Sequence, residues 1–572
     1  MKHRIALLLT IVPYAAILSQ PALSGQLQSG AGDSLMLRNY QFVKHSDPWL
    51  TSRNASGLTR YQSQDIAEAE LYLTSEKGGL TDYWQSPSVL QAGANAEAFC
   101  RINQRTVVYG QVGYDNFSGR DMTGSAFINP TRKPFDIVED SLVNPGTKHR
   151  DTYRLAGGVG TTVTDGFAVG LRLDYTAANY AKYKDLRHKN KLMDLVFSAG
   201  FTLNPKLFSL NTKNRQGKHA GTEAPLSIGA DYFYHRQTES VTFSIYGRED
   251  KVYKSFINYG PFIGKVEQLG NSGFTDKSRE MPMTDDINGV DVQLAADITP
   301  RLSFYSNVTY QHRSGYYGRK SPYTITYTRH SSDGYACQGQ LTLNATQSQR
   351  HSLAFNLDVE NLRNDLQNYR ELRDPNDVTY YEYYDPAKTA NRLWTDWDIT
   401  YTSHFGIRHE LPAWTVTASL LNQRRKQTAY LYPYRRRQDL RRVEGVVQGE
   451  HNIVLSKGVL SVAAHFAFAK GSGEPYEDDT MSQPGDKQTP PATMEAFLYR
   501  EYRYFTAPQY YLGTSVQYAF LMPGTHLKTH IRGQIDHHKA NATPHSQGEN
   551  ESNDYCPGND RIRLTLTVGC TF

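Results

Sequence analysis

The chain of 572 residues is 12% aromatic, with 40 Tyr and 44 Gly, and its mean hydropathy is −0.60. After the amino-terminus no apolar run approaches the ~20 residues that a spanning helix needs, which excludes a helical membrane protein and leaves strands as the only route into a bilayer. A formal net charge of +5 is small for this length and gives no global support for nucleic-acid binding.

Lys2, Arg4, the apolar residues 5–18 and the small-residue site Ala22-Leu23-Ser24 compose a secretory signal over residues 1–24. A short membrane anchor is the alternative, which Pro13 opposes, and no Cys near the cleavage site invites a lipid. Residues 25–65 follow as an irregular, polar lead containing DPWLTSRNASGL (47–58). This lead is too short to be the plug domain of a TonB-dependent receptor. It either folds into a lumen through Trp49 and Leu50, as a partial plug, or hangs in the periplasm.

From residue 66 to 572 the pattern is dyad. The first strand, AEAELYL, puts Ala67, Ala69, Leu71 and Leu73 on one face and Glu68, Glu70 and Tyr72 on the other. Residues 89–102 alternate likewise and end at an Asn103-Gln104 turn. Residues 151–178 make the clearest hairpin, reversing at Thr164-Asp165-Gly166. Comparable pairs recur at 192–237, 287–312, 334–361, 393–423, 441–470 and 508–538, through turns such as Thr299-Pro300-Arg301, Ser456-Lys457-Gly458 and Met522-Pro523-Gly524. Two stretches fit poorly. Residues 204–225 are too long for a tight turn, and 238–286 hold an extra hairpin in which YGPFIGKV (259–266) is either a loop strand or a further membrane strand.

The last twelve residues, RIRLTLTVGCTF, alternate Ile562, Leu564, Leu566, Val568, Cys570 and Phe572 with Arg561, Arg563 and three threonines. An amphipathic closing strand ending on an aromatic carboxy-terminus resembles the signal read by the barrel-assembly machinery, which makes Phe572 the candidate assembly signal. The fold class is all-β: a transmembrane antiparallel up-and-down barrel of about eighteen strands, within roughly sixteen to twenty, with short periplasmic turns and long extracellular loops. Cys100, Cys337 and Cys570 fall at outward positions of separate strands and Cys556 in the last loop, so all four are expected to be free. With no CxxC or comparable spacing, neither a metal nor another cofactor is expected.

The stretches 47–58 and LRLDYTAANYAKYKDLRHKN (171–190) make the chain resemble an uncharacterised outer-membrane barrel family of Bacteroidota, known only as a domain of unknown function. The likeness spans nearly the whole mature chain. It implies an outer-membrane barrel without a settled activity.

The inward positions segregate by charge. Asp291, Asp297, Asp358, Glu360, Asp396, Asp398, Glu444 and Glu450 lie on the middle strands. Lys528, Arg532, Arg561 and Arg563 lie near the seam, with Arg101, Arg154 and Arg172 further round. Closure would set these groups on opposing walls, where a transverse field filters solutes as general porins do; chance segregation of lumenal charges is the plainer account. RRKQTAYLYPYRRRQDLRR (424–442) reads as a basic outer loop, in which Arg424, Arg425, Lys426, Arg435, Arg436 and Arg437 suit the phosphates of lipopolysaccharide; an anionic solute or partner, or plain solvation, are the alternatives. VTYYEYYDP (378–386) reads as an aromatic outer loop that packs over the mouth or stacks sugars, and GSGEPYEDDTMSQPGDKQTPP (471–491) as a mobile loop tip. DHHK (536–539), with His545 and Asp554, is the one stretch that suggests hydrolysis, but adjacent strand residues face opposite ways, and neither GxSxG nor HExxH occurs.

The expected function is therefore a porin-like channel for passive or weakly selective uptake of small hydrophilic solutes in the outer membrane of a Gram-negative bacterium, not an enzyme. The alternative is a blocked barrel acting as a scaffold for a lipoprotein, glycan or lipopolysaccharide; a rim hydrolase comes last. The expected partners are outer-membrane lipid, lipopolysaccharide and the assembly machinery, with a lipoprotein in the scaffold reading and no nucleic acid.

Overall fold

The computed structural model describes residues 36–139, 144–204, 209–210, 222–223, 226–247, 252–271, 273–525, 527–542 and 558–572. The signal segment, His545, Asp554 and Cys556 lie outside them.

Nineteen strands form one sheet, and eighteen of these close into a ring in which every neighbour is antiparallel. In chain order they are β1 Ile66–Gly78, β2 Ser88–Arg101, β3 Thr106–Met122, β4 Gly146–Thr164, β5 Phe167–Lys182, β6 Arg187–Leu203, β7 Leu226–Ser244, β8 Met281–Thr299, β9 Leu302–Ser321, β10 Thr324–Thr346, β11 Gln349–Arg373, β12 Thr379–Phe405, β13 Trp414–Leu431, β14 Tyr434–Leu455, β15 Gly458–Ser472, β16 Gln509–Leu521, β17 Lys528–Ala540 and β18 Asp560–Thr571. The seam is made by β1 against β18, from Glu68 opposite Thr571 to Gly78 opposite Arg561, and the terminal Phe572 exchanges two backbone hydrogen bonds with Ala67. The expected count of eighteen and the up-and-down order are what the chain adopts.

Dyad alternation produces this shape because one face of each strand meets an apolar solvent. Leu71, Leu155, Leu171, Val292, Leu353, Leu512, Ile535 and Leu566 all point outward and are more than a third exposed. A soluble protein does not leave so continuous an apolar belt bare, and the belt is what a barrel presents to lipid. Gly166, at φ +118°, makes the two-residue turn between β4 and β5. Cys100, Cys337 and Cys570 are free, as expected.

The connections differ in length at the two ends. Both termini of the barrel, and turns such as 165–166, 300–301, 347–348 and 456–457, lie at one end, with the link from β6 to β7 the long exception there; the opposite end carries the long links from β3 to β4, β7 to β8, β15 to β16 and β17 to β18. Two supposed outer loops are wall instead. Residues 424–442 form the tops of β13 and β14 around a tight Tyr432-Pro433 reversal, and Tyr380, Tyr381, Tyr383 and Tyr384 belong to β12, paired with Leu372, Glu371, Tyr369 and Asn368 of β11. These strands run on past the apolar belt, where the outward face is wet, the inward face of β13 and β14 packs under the cap, and alternation of polarity stops marking a strand. The expected loop tip 471–491 likewise contributes the nineteenth strand, Glu477–Thr480, which pairs with Tyr434–Arg437.

The extra hairpin expected in 238–286 is present, as Lys254–Asn258 and Ile263–Gln268, but it stands in a separate four-stranded sheet with Asp136–Glu139 and Ala492–Thr493. YGPFIGKV is thus a loop strand. This sheet caps the long-loop end over an aromatic core that includes Phe135, Tyr259, Phe274 and Tyr317, with Phe135 edge-on to both Phe274 and Tyr317 at 5.2 Å. A second core, of Tyr83, Phe256, Phe262, Phe497 and Leu498, seats the helix Glu495–Thr506 beneath it.

Candidate functional site

The lead occupies the short-turn end of the lumen. Asn39 caps the helix Tyr40–Lys44, and Asp47 and Asn54 cap short 3-10 turns at Pro48–Leu50 and Ala55–Arg60. Tyr40, Val43, Leu50, Leu58 and Tyr61 bury their side chains among Ile66, Phe99, Val107 and Tyr109 of the inner wall, with Tyr61 stacked on Phe99 at 5.4 Å. Trp49 stands edge-on to Tyr305 at 5.4 Å.

The wall is cut to fit the lead. The 3-10 turn Ala55–Arg60 lies against β3, β4, β5 and β6. A Cβ on the inward Gly170 would overlap the backbone of Ser56, one on Gly160 the carbonyl of Ala55, and one on Gly229 would stand 2.6 Å from the Trp49 ring. Asn54 Nδ2 donates to the carbonyl of Phe201 and to Gln293 Oε1, both at 3.0 Å. Arg53 pairs with Asp291 at 3.0 Å and lies over the Phe233 ring at 3.7 Å; Lys44 pairs with Glu97 at 2.6 Å.

From the other end residues 123–139 reach down into the acidic wall. Arg132 sits among Asp358 at 2.6 Å, Asp396 at 2.8 Å and Glu360 at 3.4 Å, and the buried Lys133 pairs with Glu239 at 3.2 Å. Arg313, Asp285 and His330 extend this network: Arg313 bonds Asp285 at 2.9 Å and Glu360 at 3.3 Å. Arg53, Arg132 and Lys133 were not singled out from sequence. The row of inward glycines was the available signal for the docked lead, whereas nothing local marks the loop NPTRKPF (129–135) as a lumenal one.

Between lead and cap remain two contiguous cavities of 260 and 370 Å³, sharing Ala336, Gln338 and Asp358. The larger is polar, lined by Arg53, Arg172, Asp174, Asp291, Asn307 and Thr309; the smaller mixes Asp358, Asp396, Asp398, Asn356 and Gln423 with Leu357, Trp397 and Leu421.

The other expected lumenal residues are placed as follows. Asp398 accepts from Asn356 at 3.0 Å, and Asp297 lines a 130 Å³ cavity under the lead. Glu444 meets Arg442 at 3.2 Å, and Glu450 accepts from Asn452 at 3.0 Å. Lys528 donates to the Arg38 carbonyl at 2.6 Å, Arg561 pairs with Glu76 at 2.6 Å, and Arg172 pairs with Asp174 at 2.8 Å. Arg101 donates to the Tyr61 carbonyl. Arg154, Arg532 and Arg563 are inward and make no ion pair among the described residues. The acids of β8, β11 and β12 do face the basic residues of β4, β5, β17 and β18 across the ring, but Glu70, Glu76, Asp115 and Asp174 interleave the basic arc, and Arg53, Arg132 and Arg313 occupy the acidic one.

Of the six basic residues assigned to a loop, Arg424 and Lys426 face outward and Arg424 pairs with Asp439 at 2.7 Å. Arg425 faces inward to Glu501 at 3.1 Å. Arg435, Arg436 and Arg437 oppose Asp479, Asp478 and Glu477 in register, the second at 2.6 Å and the third at 3.0 Å. On β17 His538 turns inward to stack on Tyr511 at 4.2 Å, while His537 turns outward to Asp560 at 3.2 Å. The two histidines do not share a site.

Under the cap, burial pushes Asp136 up to about 6 against hydrogen bonds donated by Ser125 and Tyr83, and burial likewise raises Glu501 against the pull of Arg425.

A family of unknown function, DUF6850, matches residues 55–572. The chain belongs to that family. The family's matched span thus begins inside the lead, at the 3-10 turn seated on the inward glycines, and takes in the whole barrel. No curated protein matches the sequence. Among solved structures, the ferric preacinetobactin receptor BauA of Acinetobacter baumannii is 8% identical, with 89% of this chain and 80% of that one covered at a TM-score of 0.39. The unliganded ferric citrate transporter FecA is 8% identical over 90% and 80%, at 0.40. A FadL homologue of Pseudomonas aeruginosa is 10% identical over 92% and 94%, at 0.28. At scores this low the likenesses carry no argument, and the barrel of this family member rests on its own strand pairing.

Proposed function

We propose that the protein is a gated transport barrel of a Gram-negative outer membrane, with the short turns in the periplasm, the capped end outside, and small hydrophilic solutes as cargo. The observation that carries this reading is the polar chamber held between two separately docked segments, the lead on its glycine cradle and Arg132 in the acidic wall. A polar lumen suits hydrated solutes, and occupancy of both ends argues for a gate rather than a standing pore. The apolar belt and the aromatic carboxy-terminus support outer-membrane seating through the barrel-assembly machinery, and the outward Arg424 and Lys426 can meet lipopolysaccharide phosphate.

Planar-bilayer recording tests the gate. The Ser56→Cys/Thr202→Cys variant joins two hydroxyl positions that already touch. Oxidised, it should conduct only at background level, and reduced it should recover wild-type opening; equal current in both states sinks the gated reading. The second reading, a scaffold that conducts nothing, draws on the same double occupancy. It predicts background current from wild type and from a chain lacking residues 36–60 alike.

A further inference from the structure

Just above the chamber, the inner wall gathers buried hydrogen-bond donors that no acceptor among the described residues meets. Arg392 and Trp394 are successive inward positions of β12, and Arg425 of β13 lies directly opposite Trp394. Arg392 is 7% exposed and Trp394 3%, and the Arg425 side chain is 12% exposed. Arg392 Nε, Trp394 Nε1, Arg425 Nε and Arg425 Nη2 are all buried without a partner, and Arg425 spends only Nη1, on Glu501.

The surrounding carboxylates do not answer them. Asp136 accepts the hydroxyls of Tyr83 at 2.8 Å and Ser125 at 2.6 Å; Asp82 accepts the Tyr83 amide at 2.7 Å and the Trp84 indole at 3.2 Å. Among these groups Glu501 Oε2 is the sole acceptor left unpartnered, against four donors. Buried polar groups are normally satisfied, and each exception calls for an explanation. A single water accepts from two donors at most, whereas one oxyanion, with several lone pairs, can accept from all four at once.

We propose that Arg392, Arg425 and Trp394 form a niche for a small oxyanion, of the carboxylate or phosphate class, entered from the lumenal chamber. Entry is provided by Asp396 and Gln423, which line the chamber and are the next inward residues of the same two strands. Arg132, with its guanidinium 5.9 Å from the Trp394 ring, screens Asp396 and Asp358 along that path. Planar guanidinium forks match the oxygen spacing of carboxylate and phosphate, which lysine would not. The niche stands apart from gating, since a sealed barrel with a wet lumen could fill it as well as an opening one.

Calorimetric titration of the full-length barrel in detergent, with inorganic phosphate and separately acetate against chloride at matched ionic strength, tests the niche. Wild type should bind one equivalent of at least one of the two saturably. Arg392→Gln should weaken it at least tenfold, while Arg424→Gln, on the outer face of the same hairpin, should leave it unchanged. Absence of saturable binding of both anions to wild type overturns the proposal, as does undiminished binding to a folded Arg392→Gln. Should that variant not fold, the tryptophan emission of wild type decides: a saturable anion-dependent change that vanishes in Trp394→Phe supports the niche, and one that persists, or no change at all, overturns it.

Discussion

Arg53 Nη1 lies 3.0 Å from Asp291 Oδ2, tying the lead to the eighth strand of the wall. The carboxylate is almost wholly buried, its other oxygen taking the Thr309 hydroxyl, whereas the guanidinium keeps about a third of its surface. Removing Arg53 strands a buried charge, a loss of ~3 to 5 kcal/mol in a dry interior; with one partner this wet, ~1 to 2 is the fairer figure. Arg53→Ala is therefore expected to raise the open fraction in bilayer recordings by about tenfold, with the barrel melt unchanged. Open probability equal to wild type would detach this pair from the gate.

Gly170 offers a steric version of the same test. A methyl there collides with the Ser56 backbone, which cannot retreat without leaving the wall. Gly170→Ala should release the lead from an intact barrel, making the bonds after Arg53 and Arg60 open to trypsin under native conditions. Equal protection in variant and wild type would contradict the cradle.

Arg132 pairs with three acids at once and offsets one of their charges. Arg132→Ala should shift the reversal potential in a salt gradient toward cation preference, and adding Asp396→Asn should return most of the shift. An unmoved reversal potential would mean that ions do not pass this wall.

The cap should loosen as pH rises. The folded value of Asp136, about 6, lies above the ordinary 3.8, so the fold favours its neutral form. That contribution is fully present below about pH 4 and is lost as pH climbs through 6; the shift corresponds to ~3 kcal/mol. Hydrogen exchange at Ile137 and Val138, corrected for intrinsic rates, should accelerate between pH 4 and about 7, and Asp136→Asn should flatten the slope.

The eighteen strands, the free state of Cys100, Cys337 and Cys570 and the split orientation of His537 and His538 were legible because a bilayer imposes one simple rule on every second residue. Beyond the lipid that rule lapses. Tyr380 to Tyr384 are strand beyond the lipid, Arg435 to Arg437 are strand with Arg436 buried under the cap, and the partner of the latter, Glu477–Thr480, lies some forty residues away, so no local pattern announces the pairing. The helix Glu495–Thr506 carried a cue that passed unread: Phe497, Leu498 and Glu501 recur at helical spacing and are all buried. The lumenal destinations of Arg53 and Arg132 depend on the ring being closed, a property of the whole chain and of no window within it.

The wall is of very unequal height. β18 has 12 residues, hardly more than the ~9 to 11 that a tilted strand needs to cross, whereas β12 has 27. Some sixteen residues of β12, roughly 50 Å at ~3.3 Å each, therefore stand clear of lipid as a one-sided awning. The short flank from β16 through β18 to β1 gauges bilayer thickness: trimming two residues there would mis-seat the molecule, while the same cut at the tip of the β11–β12 hairpin would leave its depth untouched.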